Sequence, residues 1–150
     1  MHGELAIQYA APRAGLPSRA SVAAWLAQAL PGRRARITVR FVGAAEGRRL
    51  NRDYRGRDYA TNVLTFGYDA PRLEGDIVLC APVVVREARR RSLPVRAHFA
   101  HLVVHGALHL AGHDHERARG AAIMEAAERG ILARLGFDDP YPHRRRPGRP

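Results

Sequence analysis

The chain contains a single cysteine, no lysine and no long apolar run, and each absence narrows what it can be. Cys80 is the one cysteine among the 150 residues, so the chain cannot form an internal disulfide. A reducing compartment is therefore expected. It lies in the apolar run 77–81, which predicts a buried side chain rather than a reactive thiol. No apolar stretch approaches the ~20 residues needed to span a bilayer. The first ten residues also lack the pattern of a secretory signal. We therefore expect a cytoplasmic protein with no membrane partner.

The basic residues are all arginine, and they outnumber the acidic residues by 25 to 14, a formal net charge of +11. Such an excess favours polyanionic partners through phosphate contacts and counterion release. The alternative is a solvated basic surface that only keeps the protein dissolved. We favour contact with nucleic acid.

Apolar periodicity predicts strands mixed with helices, the latter concentrated in the C-terminal half. Strands are expected at 4–10, 36–42, 62–66 and 76–80, with a turn region from Gly67 to Gly75. Helices are expected at 18–30, 44–54, 82–92, 94–111 and 116–135. We predict an α+β fold, with one domain over residues 1–139 in which a small mixed sheet of about four strands is covered by about five helices. The basic Pro/Arg tail, 140–150, is expected to be disordered.

Potential metal ligands are most concentrated in the segment HGALHLAGHDH, which runs from His105 to His115. His105 and His109 are four residues apart on a predicted helix, so their rings share one face. Gly112 lets the backbone turn, and His115 can return as a third ligand. Three imidazoles leave one position open on a divalent ion, which is typical of a catalytic zinc. We predict one Zn²⁺ per chain, although nickel would fit nearly as well, and a hydrolase; histidines that bind no metal are the alternative.

Four residues near this motif have open roles. His98 and His101 precede the ligands on the same helix, and His101 is expected to support them or to be exposed rather than to bind the ion. His113 is expected to point elsewhere. Asp114 either fixes the tautomer of a ligand histidine or serves as a turn or N-cap residue.

The spacing H-x3-H-x2-G-x2-H also occurs in metzincin proteases, but one position differs. Those proteases place glutamate directly after the first histidine as the general base. Here that position is Gly106, so the proton acceptor is missing. A metal-dependent peptidase is therefore the least favoured hypothesis.

A second motif, LNRDYRGRDYATNVLTF, runs from Leu50 to Phe66, and Gly75-Asp76-Ile77 follows it. With the histidine motif, it resembles the YbeY family of bacterial endoribonucleases, also called rRNA maturation factors. In that family an Asn-x-x-Tyr-Arg stretch leads to Thr-Asn-Val-Leu-Ser-Phe. The departures are Ala60 where the family often has proline and Thr65 where it often has serine, and neither removes a ligand.

The resemblance implies a one-domain metalloprotein with His105, His109 and His115 as ligands and with Arg55 in a basic active-site cleft. Arg55 and His105 are the catalytic candidates. The implied activity is single-strand-specific endoribonuclease cleavage in 16S rRNA 3′-end maturation and ribosome quality control. The implied partners are single-stranded rRNA, the ribosome with a small-subunit ribosomal protein, and an Era-type GTPase. The alternative is a ribosome-assembly or RNA-binding factor in which the metal is mainly structural.

Arginine suits phosphate because its planar fork makes bidentate hydrogen bonds and can balance transition-state charge. Arg55 is preferred over its neighbours because it lies in the matched motif. The other arginines around it, which equally suit a solvated helix face paired with Asp53 and Asp58, are Arg48, Arg49, Arg52 and Arg57. A second cluster could hold an RNA backbone further out: Arg86, Arg89, Arg90 and Arg91. Polar residues that either support the site or make turns are Thr61, Asn62 and Asp76.

Overall fold

The computed structural model describes residues 1–113 and 118–141, in which strands and helices intermix as predicted. The strands are β1 (His2–Ala10), β2 (Arg34–Val42), β3 (Val63–Tyr68) and β4 (Leu73–Cys80). The helices are α1 (Arg19–Ala29), α2 (Ala44–Arg55), α3 (Ala81–Arg90), α4 (Val95–Leu110) and α5 (Ala118–Arg134). This confirms a small α+β domain with a four-stranded mixed sheet and five helices in the described part of the chain.

The strands lie in the order β1-β2-β4-β3, so β3 forms an edge of the sheet. β1, β2 and β4 are parallel, and β3 runs antiparallel to β4. The predicted turn between these strands is present but shorter than the expected Gly67 to Gly75: it covers residues 69–72, and Gly67 pairs with Gly75 within the β3–β4 hairpin. A Cβ at Gly75 would lie 2.7 Å from a methyl carbon of Leu110 on α4, so glycine permits close packing here rather than a turn.

The two faces of the sheet carry different helices. Ile37, Val39 and Phe41 of β2 point into the main core with α1 and α4, and the rings of Phe41 and Phe99 meet edge to face at 5.8 Å. The opposite face bears α2, whose Glu46 accepts two hydrogen bonds from Arg40 at 2.8 and 3.0 Å. α2 and α4 therefore lie on opposite faces of the sheet.

Cys80 and the C-terminal residues can now be compared with the sequence predictions. Cys80 is buried, as predicted, and this burial raises the pKa of its thiol. Within the described ranges, no helix is both long enough and apolar enough to cross a membrane. Pro140 and Tyr141, which we assigned to the tail, contact the domain through Arg91 and Glu128. Residues 142–150 lie outside the described residues.

Candidate active site at the edge of the sheet

Helix α4 brings its histidines onto one stripe, because successive members are three or four residues apart. The members are His98, His101, His105 and His109. His98 and His101 are buried, whereas the side chain of His105 keeps 24% of its exposure. The stripe therefore runs from the core toward a solvent-accessible end that carries the two predicted metal ligands.

A buried carboxylate from α5 holds His105. Glu128 is 1% exposed, and its Oε2 lies 3.2 Å from Nδ1 of His105. Burial alone would raise the pKa of Glu128, but hydrogen bonds from His101 and His105 outweigh it and lower the pKa to about 2. An ionised carboxylate only accepts hydrogen bonds, so Nδ1 of His105 must donate. In neutral His105 the lone pair is then on Nε2, the nitrogen that a metal would use.

The second oxygen of Glu128 is fixed by two other donors. Its Oε1 accepts from Nε2 of His101 at 2.5 Å and from the Tyr141 hydroxyl at 2.7 Å. Asp139 accepts a hydrogen bond from the backbone N–H of Tyr141 at 2.8 Å, which fixes the segment carrying that hydroxyl. His101 is thus buried and supports His105 through Glu128, one of the two roles expected for it.

Glu128 was missed by the sequence analysis, although its position carries a signal. On α5 it lies between buried Met124 and buried Ile131, at helical spacings of four and three. A carboxylate on the apolar stripe of a helix requires a buried partner. The sequence does not say which partner this is.

Gly106 is closed off by the sheet. A Cβ there would lie 3.0 Å from Cγ2 of Ile77 and 3.2 Å from Cγ2 of Thr65. The position that carries the general base in metzincins therefore faces β3 and β4, where a glutamate side chain has no room. This geometry gives a physical reason to disfavour a peptidase of that type.

Replacing Gly106 with glutamate is expected to destabilise the fold rather than to create a peptidase. Overpacking a core costs about 1–3 kcal/mol, and an unpaired buried carboxylate adds several more. We expect Gly106→Glu to lower the free energy of unfolding by at least ~3 kcal/mol in urea titrations. The matched control is Gly130→Glu on α5, where the nearest atom to an added Cβ is Nη1 of Arg134, 3.5 Å away. Equal losses in both variants would contradict the packing argument.

Arg55, the last residue of α2, reaches the outer edge of β3. Its Nη2 donates to the backbone oxygen of Thr65 at 2.7 Å, and its guanidinium carbon lies 5.1 Å from the ring centre of Phe66. Gly56 ends the helix at φ +70°, a left-handed conformation that suits glycine. The arginine is therefore held at the sheet edge, between the face of α2 and the face of α4.

Arg55, His105 and His109 line one pocket of about 350 Å³, which we call the histidine pocket. Its remaining wall comes from the start of β3 and the residues before it: Thr61, Asn62, Val63, Leu64 and Thr65. Two imidazoles and one guanidinium thus meet in one pocket although 50 residues separate Arg55 from His105 in the chain. This arrangement could hold a phosphate group against a metal ion.

The other arginines lie elsewhere. Arg48 pairs with Asp58 at 2.8 Å and Arg52 with Asp53 at 3.1 Å, all with half-exposed side chains, as a solvated helix face would. Arg86 and Arg89 line a different, largely apolar cleft beside α3. Neither group lines the histidine pocket.

The remaining polar candidates divide between the two faces. Asn62 lines the histidine pocket, and its Nδ2 donates to Oε1 of Glu87 at 3.1 Å. The same oxygen lies 2.9 Å from Nε2 of buried His98. Asp76 accepts a hydrogen bond from the Tyr68 hydroxyl on the face of α2, away from the histidines.

The third predicted ligand, His115, and its neighbour Asp114 lie outside the described residues. Among residues 1–113 and 118–141, no group of three or more His, Cys, Asp or Glu side chains is arranged so that it could hold a metal ion. The donor chemistry present nevertheless fits a divalent ion, because His105 and His109 share a pocket and Glu128 fixes the proton of His105 on Nδ1. A carboxylate behind a ligating histidine is the common arrangement in metal sites.

Sequence comparison with known proteins points to a single family. The family model described as Endoribonuclease YbeY matches residues 18–136. A curated protein named Endoribonuclease YbeY from Stenotrophomonas maltophilia is 53% identical over 149 residues, covering 92% of each chain. Another from Aromatoleum aromaticum is 59% identical over 130 residues, covering 86% of this chain and 84% of that one.

One solved structure is similar along nearly the whole chain. It is the solution structure of a Thermotoga maritima protein, with a TM-score of 0.59 and 21% sequence identity. The match covers 97% of this chain and 99% of that one. At this identity the likeness concerns the fold alone.

Proposed function

The chain belongs to the YbeY family of endoribonucleases, and from this membership we propose that it cuts single-stranded RNA at the histidine pocket. It is accordingly a hydrolase whose substrate is RNA. The observation that carries the location is the meeting of Arg55, His105 and His109 in one pocket. The formal charge of +11 suits a polyanionic substrate.

Arg55 would bind the phosphate. Its Nη2 is tied to the edge-strand oxygen of Thr65, so the guanidinium stands beside the pocket with other N–H groups left to donate. A guanidinium fixed there needs little reorganisation as negative charge grows on the phosphate oxygens. Arg55 is therefore proposed to orient the scissile phosphate and to balance its charge.

His105, His109 and His115 would hold one divalent ion, with zinc proposed. When bound, such an ion polarises a phosphoryl oxygen and lowers the pKa of a coordinated water. Glu128 keeps the proton of His105 on Nδ1, and His101 and Tyr141 keep Glu128 in place. The described lining of the pocket contains no carboxylate, which sets this site apart from a metzincin peptidase.

We further propose that the substrate is ribosomal. Cleavage would serve 16S rRNA 3′-end maturation and ribosome quality control, in the cytoplasm. The ribosome with a small-subunit ribosomal protein and an Era-type GTPase are the proposed partners. The support for these finer statements is the family resemblance in the motifs 50–66 and 105–115.

Metal removal tests the proposal. Losing several kcal/mol of charge stabilisation corresponds to a cleavage rate about 10²- to 10³-fold lower. We expect a chelator to cause such a loss on a single-stranded rRNA fragment and stoichiometric Zn²⁺ to restore it. The same fragment annealed to its complement should resist cleavage in the metal-loaded protein.

The competing hypothesis is an assembly or RNA-binding factor with a mainly structural metal. It predicts that the chelated protein unfolds or weakens RNA binding, while no cleavage depends on added metal. Unfolding transitions and RNA affinity should therefore be measured on the same chelated samples. Cleavage that persists unchanged after metal removal would overturn the metal-dependent nuclease.

A further inference from the structure

A second cleft adjoins the histidine pocket on the other face of the sheet. It encloses about 680 Å³ beneath α2, and Arg55 and Thr65 line both cavities. Because β3 is the edge strand, a ligand can pass across that edge from one cavity to the other. We call this second cavity the aromatic cleft, after Tyr54, Phe66 and Tyr68 in its lining.

The two tyrosine rings of this cleft are exposed yet held in place. Tyr54 is 63% exposed and meets Phe66 edge to face at 5.3 Å. Tyr68 is 54% exposed, and its hydroxyl donates to Asp76, which anchors the ring at its far end. Hydrogen bonding to Asp76 raises the pKa of Tyr68 to about 12, so the hydroxyl stays protonated at neutral pH. Anchored, solvent-facing rings can stack on a flat ligand at little cost in side-chain entropy.

We propose that the aromatic cleft binds the base of the nucleotide next to the scissile phosphate, stacked on Tyr68 with Tyr54 as a second wall. This inference rests on the proposed function, since it takes the phosphate to lie at Arg55. Phosphate and base of one nucleotide are joined through a single sugar, so their sites must adjoin. Arg55 lines both cavities and meets that requirement.

The polar groups of the cleft suit a base better than an apolar peptide side chain. Asp76 and the Arg40–Glu46 pair lie along the lining and offer acceptors and donors to a base edge. Single-stranded RNA is recognised in this way, with unstacked bases laid on aromatic rings and hydrogen-bonded at their edges. Duplex RNA keeps its bases stacked and could not supply one, which gives a structural reason for a single-strand preference.

The test compares RNA binding and cleavage by Tyr68→Ala and Tyr54→Ala with wild type. Removing a stacking ring is expected to raise Kd and KM for a short single-stranded oligomer about 5- to 150-fold, the range for base–aromatic stacking. Tyr68→Phe keeps the ring but loses the anchoring hydrogen bond to Asp76, so its Kd should lie between those of wild type and Tyr68→Ala. The matched control is Tyr59→Ala, since Tyr59 is 51% exposed but is not part of the cleft lining, and its Kd should not change.

A second substrate separates stacking from a general surface effect. Oligomers that lack the base on one side of the cleavage point should bind wild type more weakly, and Tyr68→Ala should no longer distinguish them from the intact oligomer. Equal Kd values for wild type and both alanine variants would overturn the base site while leaving the nuclease intact. Binding weakened by Tyr68→Ala would support the site even if purified protein did not cleave. If the oligomer did not bind wild type at all, both the proposed RNA cleavage and the proposed base site would be contradicted.

Discussion

Replacing His109 with alanine is expected to abolish both metal binding and RNA cleavage, whereas replacing Arg55 with alanine should strongly slow cleavage and leave the metal in place. Both side chains line the histidine pocket, but only histidine is a ligand for zinc. The two variants therefore distinguish a role in metal binding from a role in phosphate binding.

The size of each effect follows from its chemistry. Losing a group that only supports a metal ligand costs about 10- to 100-fold in affinity, so losing His109, a proposed ligand, should cost more. Removing one preorganised donor from a site of developing charge costs about 10²- to 10³-fold in rate, which we expect for Arg55→Ala. Arg55→Lys should recover little, because lysine is a point charge without the planar fork.

Metal content by elemental analysis and single-turnover cleavage of a single-stranded rRNA fragment check both variants. Arg48→Ala is the control, because Arg48 lies on the same helix, pairs with Asp58 and does not line the pocket. If His109→Ala lost its metal but still cleaved at the wild-type rate, the nuclease activity would be metal-independent or a contaminant. The assembly-factor hypothesis would then be preferred.

Local patterns explain why part of this site could be predicted. His105 and His109 share a face because four residues make about one helical turn, and the helix was recognisable from its apolar positions. Arg55 was selected by its motif alone, since its charge does not distinguish it from Arg48 or Arg52. Its distinguishing feature, the hydrogen bond to the edge-strand oxygen of Thr65, depends on the sheet order, which the sequence does not display.

Other parts could not be predicted, because they depend on how distant elements pack. Gly67 and Gly75 resembled turn signals, but they lie in paired strands where Leu110 of α4 approaches. Glu128 contacts His105 across 23 residues only because α5 packs on α4. A carboxylate on an apolar stripe indicates that a buried partner exists, but the partner can be identified only once the fold is known.

Replacing Glu128 with glutamine is expected to weaken zinc binding about 10- to 100-fold while the protein stays folded. Glutamine has nearly the shape of glutamate but offers one acceptor and one donor. Three donors now share the carboxylate: His101 and Tyr141 at Oε1, and His105 at Oε2. An NH₂ group at either position faces a donor, so His105 loses its partner or His101 and Tyr141 lose theirs.

Stability and metal affinity must be measured separately, because a buried carboxylate contributes to both. Leaving a buried donor without an acceptor costs about 1–3 kcal/mol, so metal-free Glu128→Gln should unfold at a lower denaturant concentration. Glu87→Gln is the matched control, since Glu87 pairs with His98 on the same helix at 2.9 Å. It disrupts a carboxylate–histidine pair that does not include His105, and it should lose stability without a change in zinc affinity.

The comparison of these two variants decides what Glu128 does. Zinc affinity measured by competition with a chelating dye should fall for Glu128→Gln alone, and Tyr141→Phe should show a smaller fall because one donor to Oε1 is lost while His101 remains. Such a graded loss, at equal or smaller cost in stability than Glu87→Gln, means that Glu128 positions His105 for the ion. If both glutamine variants lost stability and neither changed zinc affinity, Glu128 would be a structural carboxylate of the α4–α5 interface, and the tautomer of His105 would be set by another group.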